Sequence, residues 1–342
     1  MFLKSLTLFN FYWLIISFVT LLIVKMEFKM ISNDFKFLTE DKTEIFTYKW
    51  LPDDDKKIKA IVQIVHGMAE HAGRYGKLAD FLTSNGFAVY ANDLRGHGKT
   101  AGSEDNIGFF AEKNGWNLVV NDEFELAQII KKENPELPIY LIGFSMGTLI
   151  IRDYIFTHSD YVNGVILSGT SCDPGVMANL GKLIAKWQIK KNGFKAKSQL
   201  LDKLSFGKFN SYFKPNRTPF DWLSTNRENV DRYIADPYCG SVFSAGFFYD
   251  LIYGVKKVDL FENIEKVSRN LPIFLISGEK DPVGNFTKGV MKVFNDYKKA
   301  KITDVNYKFY PGFRHEILNE TNRSEVYKDI ADWLGKYIEA NN

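Results

Sequence analysis

Ser145 sits at the centre of Gly143-Phe144-Ser145-Met146-Gly147. An apolar run, Ile139 to Ile142, precedes it, and Leu149, Ile150, Tyr154 and Ile155 follow at helical spacing. Strand, Gly-x-Ser-x-Gly and helix, in that order, is the context in which a serine hydroxyl is presented as a nucleophile. The turn is so tight that the residues two before and two after the serine have almost no room for a side chain, and glycine fits because it lacks a Cβ. The N-terminus of the following helix lies beneath the serine, where its dipole favours the negative charge of an acyl-transfer intermediate.

Such a serine needs a base to take its proton and a carboxylate to orient that base. The histidines are His66, His71, His97, His158 and His315. His315 follows the last apolar strand, in Tyr310-Pro311-Gly312-Phe313-Arg314-His315-Glu316, and is the expected base. His158 falls at the far end of the nucleophile helix and reads as a surface residue. Asp281, opening a turn in Ser277-Gly278-Glu279-Lys280-Asp281-Pro282-Val283, is the expected acid, with Glu279 as its rival. The chain order Ser, Asp, His is that of α/β-hydrolases. Two backbone N–H groups must face the developing oxyanion, each lowering the barrier by roughly 2.7–4 kcal/mol. Met146, just after the serine, and Met68, in His66-Gly67-Met68, are the expected donors, with their side chains lining an apolar pocket. His66, His71 and His97 lack the spacing of a helical ligand pair and read as loop supports, so neither a metal nor a cofactor is expected. Glu70 and Arg74 pair near the site or bind a polar head group of the substrate.

These residues require a sheet to place them. Phe35–Leu38 and Thr43–Trp50 alternate apolar and polar residues and predict an antiparallel hairpin. Ala60–Val65, Phe87–Ala91, Ile139–Ile142, Gly164–Ser168, Pro272–Ser277 and Asn306–Tyr310 predict further strands, with helices between most of them. The pattern is α/β: a mostly parallel eight-stranded sheet flanked by helices. The rhythm breaks after the sixth strand. From about Ser171 to Asp259 there are only amphipathic helical patches, at 179–187, 220–233 and 243–255. The expected domains are a hydrophobic segment at 1–25, a core at 34–170 and 260–342, and a helical cap at 171–259. Sites in such sheets form at the carboxyl ends of strands, where Ser145, Asp281, His315 and the loop from His66 all fall.

The 342 residues, 45% hydrophobic with a net charge of +3, allow a large core. The lysines are scattered rather than clustered, so nucleic acid is not an expected partner, and no obligate protein partner is indicated. Cys172 and Cys239 form neither a disulfide framework nor a zinc motif. Leu6 to Val24 is an uncharged run of nineteen residues, which at ~1.5 Å per residue nearly spans a ~30 Å hydrocarbon core. It lacks a small-x-small cleavage site, and a membrane anchor is the favoured reading. A start at Met26 would instead leave a cytoplasmic enzyme.

The stretches His66-Gly67-Met68-Ala69-Glu70-His71-Ala72-Gly73-Arg74-Tyr75, Asp93-Leu94-Arg95-Gly96-His97-Gly98 and Gly143-Phe144-Ser145-Met146-Gly147 resemble the monoacylglycerol lipase and lysophospholipase group of serine aminopeptidase S33-like α/β-hydrolases. The resemblance covers about residues 34–342. It implies serine-esterase chemistry on single-chain lipid esters, a helical cap over the site, and an oxyanion hole at Met68 and Met146. Two positions depart from the group's pattern: Phe144 stands where histidine is common, and Thr148 where glycine is common. The expected activity is hydrolysis of a monoacylglycerol or lysophospholipid through an acyl-enzyme. The alternatives are a proline-iminopeptidase-like peptidase, with an acidic pocket drawn from Asp221, Glu228, Asp231, Asp236 and Asp250, and a non-catalytic membrane-anchored binding protein.

Overall fold

The computed structural model describes residues 30–53 and 57–339. The expected anchor, Leu6 to Val24, lies outside the described residues. Among the described residues no helix is long and apolar enough to cross a membrane.

Among the described residues nine strands form one sheet. They are β1 (Ile31–Ser32), β2 (Phe35–Leu38), β3 (Glu44–Leu51), β4 (Ala60–Val65), β5 (Phe87–Asn92), β6 (Ile139–Phe144), β7 (Gly164–Ser168), β8 (Ile273–Gly278) and β9 (Val305–Tyr310). Their order is β1-β3-β5-β4-β6-β7-β8-β9, with β2 also paired to β3. The pairs made by β1, β2 and β5 with β3 are antiparallel, and those from β5 through to β9 are parallel. The ninth strand is β1, two residues paired to the far end of β3, too short for any periodicity to announce it. Counting it, the insertion follows β7 rather than the sixth strand.

The central strands are buried along their whole length, as expected of a parallel sheet covered on both faces. One face packs on α1 (Gly76–Ser84) and α10 (Arg323–Glu339), through residues such as Leu78, Leu82, Ile330 and Leu334. The other packs on α2 (Gly115–Glu133), α3 (Met146–His158) and α9 (Lys288–Lys299), through Leu126, Ile130, Ile150 and Val293.

Between β7 and β8 the chain is helical: α4 (Val176–Asn192), α5 (Gln199–Phe206), two 3₁₀ turns, α6 (Arg227–Ala235), α7 (Ala245–Val258) and the short α8 (Phe261–Ile264). Helix α7 is the root of this insertion. Its Phe247 and Phe248 are fully buried, and Gly254 lets the Trp116 indole of α2 lie where a Cβ would collide at 2.2 Å. The first of the amphipathic patches is longer than its periodicity suggests, because α4 continues to Asn192 and ends at Gly193, which takes a positive φ of 86°.

Candidate active site

Ser145 terminates β6 and caps α3, with φ 50° and ψ −118°, a strained conformation for a residue with a Cβ. The two flanking glycines are explained by contact. A Cβ on Gly147 would lie 2.0 Å from the Val65 carbonyl oxygen, and one on Gly143 would lie 2.8 Å from the Gly147 backbone. The Ser145 N–H donates to the Ser168 carbonyl of β7 at 2.9 Å, which fixes the elbow to the sheet. Thr148 donates its hydroxyl back to the Ser145 carbonyl at 2.6 Å and accepts the Thr170 hydroxyl on the same oxygen at 2.8 Å, so the departure from glycine here reinforces the turn.

His315 stands in the loop after β9. Its Nδ1–H donates to Asp281 Oδ2 at 2.9 Å, leaving Nε2 as the basic nitrogen. Both side chains are buried. Asp281 is held by the Val283 N–H on Oδ1 at 2.8 Å and by Ser277 Oγ on Oδ2 at 3.4 Å. Glu279 is exposed. The His315 ring lies between two aromatic rings. Phe144 is 4.7 Å away by ring centroid and Trp222, from the insertion, 5.4 Å away and nearly parallel. Phe144 also touches the loop after β4, since a Cβ on Gly67 would lie 3.0 Å from its ring. The phenyl ring therefore fills the space between that loop and His315.

Met68 lies in this loop and lines the same cavity as Ser145 and His315. Met146 opens α3, but its side chain is buried in the core cluster rather than exposed to the cavity, contrary to the expectation that both methionines line the pocket. The loop is tied from below by Glu70. Its Oε1 accepts the Gly67 N–H at 2.7 Å and the Tyr75 hydroxyl at 2.8 Å, and Oε2 pairs with Arg74. Arg74 is bidentate to Glu316, the residue after His315, at 2.9 and 2.8 Å. Glu316 also accepts from Asn229 of α6 at 2.6 Å. Burial would push the Glu316 carboxyl up, but the Arg74 guanidinium outweighs it and holds the group below the usual carboxylate range. Glu70 and Glu316 border the cavity, whereas Arg74 is spent beneath it. From above, Ala69 takes a positive φ of 57° and its carbonyl accepts the Tyr233 hydroxyl at 2.9 Å and the Gly240 N–H at 3.0 Å.

His66 and His97 support the loops around the site. His66 accepts the Leu94 N–H on Nε2 at 2.9 Å, so its Nδ1–H donates to the Gly67 carbonyl at 2.7 Å. Burial, then the neighbouring His97, keep it neutral. Asp93 joins the loops after β4 and β5 by accepting from Ala72 and Lys99 N–H groups at 2.8 and 2.7 Å. His158 is half-buried, stacked 3.7 Å from the Phe124 ring. Both cysteines are free thiols.

The cavity measures about 390 Å³, within the range of small-ligand sites. Its insertion side is aromatic and apolar, with Phe206, Phe220, Trp222 and Leu223. Asp202 is the acidic group that the insertion adds to the lining. The five acids considered for an amine pocket do not line it. Asp231 and Glu228 pair with Arg217 and Arg232, Asp236 with His71, Asp221 caps the turn at Arg217–Thr218, and Asp250 accepts from the Trp116 N–H. What the linear sequence did not disclose is the packing of Trp222 on His315 and the bonding of Glu316 to Arg74; only its adjacency to His315 marked the latter.

Comparison with known proteins follows the same lines. The chain is 29% identical over 295 residues to a monoacylglycerol lipase of Mycolicibacterium smegmatis, covering 84% of this chain and 92% of that protein. It is 26% identical over 304 residues to the monoglyceride lipase of Mus musculus, covering 88% and 89%. Among solved structures, a highly thermostable carboxyl esterase from Bacillus coagulans, in complex with glycerol, superposes with a TM-score of 0.83 at 30% identity, covering 91% of this chain and all of that one. Residues 56–322 match the family model described as serine aminopeptidase, S33, and the chain belongs to that family of α/β-hydrolases.

Proposed function

We propose that this protein hydrolyses the carboxylic ester bond of single-chain lipids, a monoacylglycerol or a lysophospholipid, through an acyl-enzyme on Ser145. The observation that carries the reading is a strained serine and an Asp-paired histidine opening on one aromatic-walled cavity. His315 Nε2 takes the Ser145 proton as Oγ attacks the ester carbonyl. Asp281 holds the productive tautomer and stabilises the imidazolium. The Met68 and Met146 N–H groups receive the oxyanion. His315 then protonates the departing alcohol, and a water activated by the same nitrogen releases the fatty acid. The insertion acts as the cap, and its aromatic wall takes the acyl chain. Glu70 and Arg74 act as positioning residues: their charged groups are engaged with one another, with Gly67 and with Glu316, so they hold the Met68 loop rather than a head group. The uncharged run 6–24 supplies membrane attachment, tested by membrane sedimentation with and without residues 1–25.

The relatives named for monoglycerides support the ester reading over the peptidase alternative, as does the pairing of the insertion's acids elsewhere. The test is a panel of monoacylglycerols, lysophospholipids and aminoacyl amides, with Ser145→Ala as the blank. Turnover of the glycerol and lysophospholipid esters that vanishes in the blank is the expected result. Cleavage of the amides alone would transfer the assignment to a peptidase, and activity surviving in Ser145→Ala would remove the nucleophile.

A further inference from the structure

Beside the catalytic cavity, a second group of reactive side chains converges. His71 leaves the loop after β4, and Asp236 and Cys239 occupy the turn that follows α6. One ligand-capable atom from each lies within 4.8 Å of the other two. None of the three lines the cavity, and none belongs to the triad. The turn Asp236-Pro237-Tyr238-Cys239 is closed by the Cys239 N–H donating to the Asp236 carbonyl at 3.1 Å. It presents a carboxylate and a thiol at the two-residue spacing that short zinc chelates use. Asp236 is oriented for the purpose: Oδ1 accepts the Tyr238 N–H at 2.9 Å, while Oδ2 meets His71 Nε2 at 2.9 Å. Such support of a ligand through its second oxygen is a common way of fixing a ligand set. All three residues are half-buried, open to an ion yet partly shielded from water.

The donors are chemically mixed. Magnesium and calcium require oxygen ligands, whereas a thiolate, an imidazole and a carboxylate together suit zinc. Zinc bonds of about 2.0–2.3 Å place tetrahedral ligands roughly 3.3–3.8 Å apart, so side-chain rotations of about 1 Å would close the set, with water in the fourth position.

We propose that His71, Asp236 and Cys239 form a binding site for a borderline-soft divalent cation, zinc above all, which clamps the insertion onto the loop that carries Met68. On binding, the Cys239 thiol releases its proton to water, the imidazole proton that His71 Nε2 shares with Asp236 Oδ2 passes to Nδ1, and the thiolate, the freed imidazole nitrogen and the carboxylate each donate a lone pair. The clamp adds to ties already at this junction: Gly240, next to Cys239, and Tyr233 both donate to the Ala69 carbonyl. The ion is structural and regulatory in position, since its ligands stand behind the cavity wall and do not reach Ser145.

The test uses the full chain, stripped with a chelator and titrated with zinc and cobalt. Zinc in hundredfold excess over its Kd raises the melting temperature by about 3–6 °C, while magnesium does not. Cobalt produces a thiolate-to-metal charge-transfer band. Cys239→Ser abolishes both signals, Asp236→Asn weakens both, and Cys172→Ser leaves both intact. A wild-type chain that gives neither signal overturns the proposal whatever the variants do. So does a zinc shift that persists undiminished in Cys239→Ser, which would place the ion elsewhere. Ester hydrolysis is not a readout here, so this site stands or falls apart from the proposed reaction.

Discussion

Strand β6 and helix α4 are both rich in apolar residues and meet opposite fates. Every residue of β6 is buried. In α4 the buried residues are Ala178 and Ala185, while Val176 is 80%, Leu183 64% and Trp187 58% exposed. The sheet spends its apolar side chains on its own core, and the outer helix of the insertion presents them outward. The cavity is built from both materials: Ser145, Asp281 and His315, the proposed nucleophile, acid and base, stand at the ends of strands, and its aromatic wall comes from the insertion. Chemistry and specificity should therefore separate under mutation.

The largest separation is expected at the acid. Asp281→Asn leaves the sheet intact but deprives His315 of the acceptor that selects its tautomer, and kcat falls by about 10⁴-fold. A wild-type rate in this variant, measured with a nitrophenyl ester, would end the triad assignment. Next comes the seam between the two regions. Arg74→Ala leaves the Glu70 and Glu316 carboxylates buried without their cation and costs roughly 3–5 kcal/mol of stability, read from urea unfolding. Arg74→Lys recovers only part of this, since an ammonium cannot reproduce the bidentate pair.

A third probe acts at the root of the insertion. Burial raises the Asp250 carboxyl to about 7, against the Trp116 N–H bond that lowers it. A carboxyl whose pKa is raised on folding contributes stability that is complete below its unfolded pKa, near 4, and is lost as pH rises through about 7. Asp250→Asn should flatten that decline and stabilise the protein at pH 8 by up to roughly 4 kcal/mol, at about 1.4 kcal/mol per unit. If thermal unfolding of the two proteins runs parallel from pH 4 to pH 8, Asp250 does not titrate in this range. The smallest effect is expected on the outer face, where Leu183→Gln should change stability by less than about 0.5 kcal/mol because the side chain has little core to lose. A loss of several kcal/mol there would show that the face is packed in solution.

The same contrast decides what could be read in advance. Ala60–Val65 and Ile139–Phe144 announce themselves because a doubly covered strand must be apolar at every position. The positions of Ser145 and Asp281 were legible because each follows such a strand, that of His315 because it follows the last strand, the half-exposed edge strand β9, and the glycines around Ser145 because van der Waals contact permits little else. Strand β1 was not legible, since two residues carry no period. The partnership of Trp222 with His315 was not either: it joins positions 93 residues apart through a segment whose polarity pattern follows its surface as much as its core. The Glu70–Arg74 pair was visible as a pair, but its second carboxylate, Glu316, comes from the opposite end of the chain.

The place where the insertion leaves the sheet has a consequence for how this chain can change. Strands β7 and β8 lie side by side in four registered pairs, Val165 with Ile273 through Ser168 with Ile276, although the whole insertion separates them in sequence. The entropy lost in closing such a loop grows only with the logarithm of its length, so a tenfold longer connection costs about 2 kcal/mol more. The sheet is nearly indifferent to how much chain is threaded between these two strands. Lineages can lengthen, shorten or rebuild that passage at little thermodynamic penalty, trying new substrates against bond-breaking machinery that never has to be reinvented.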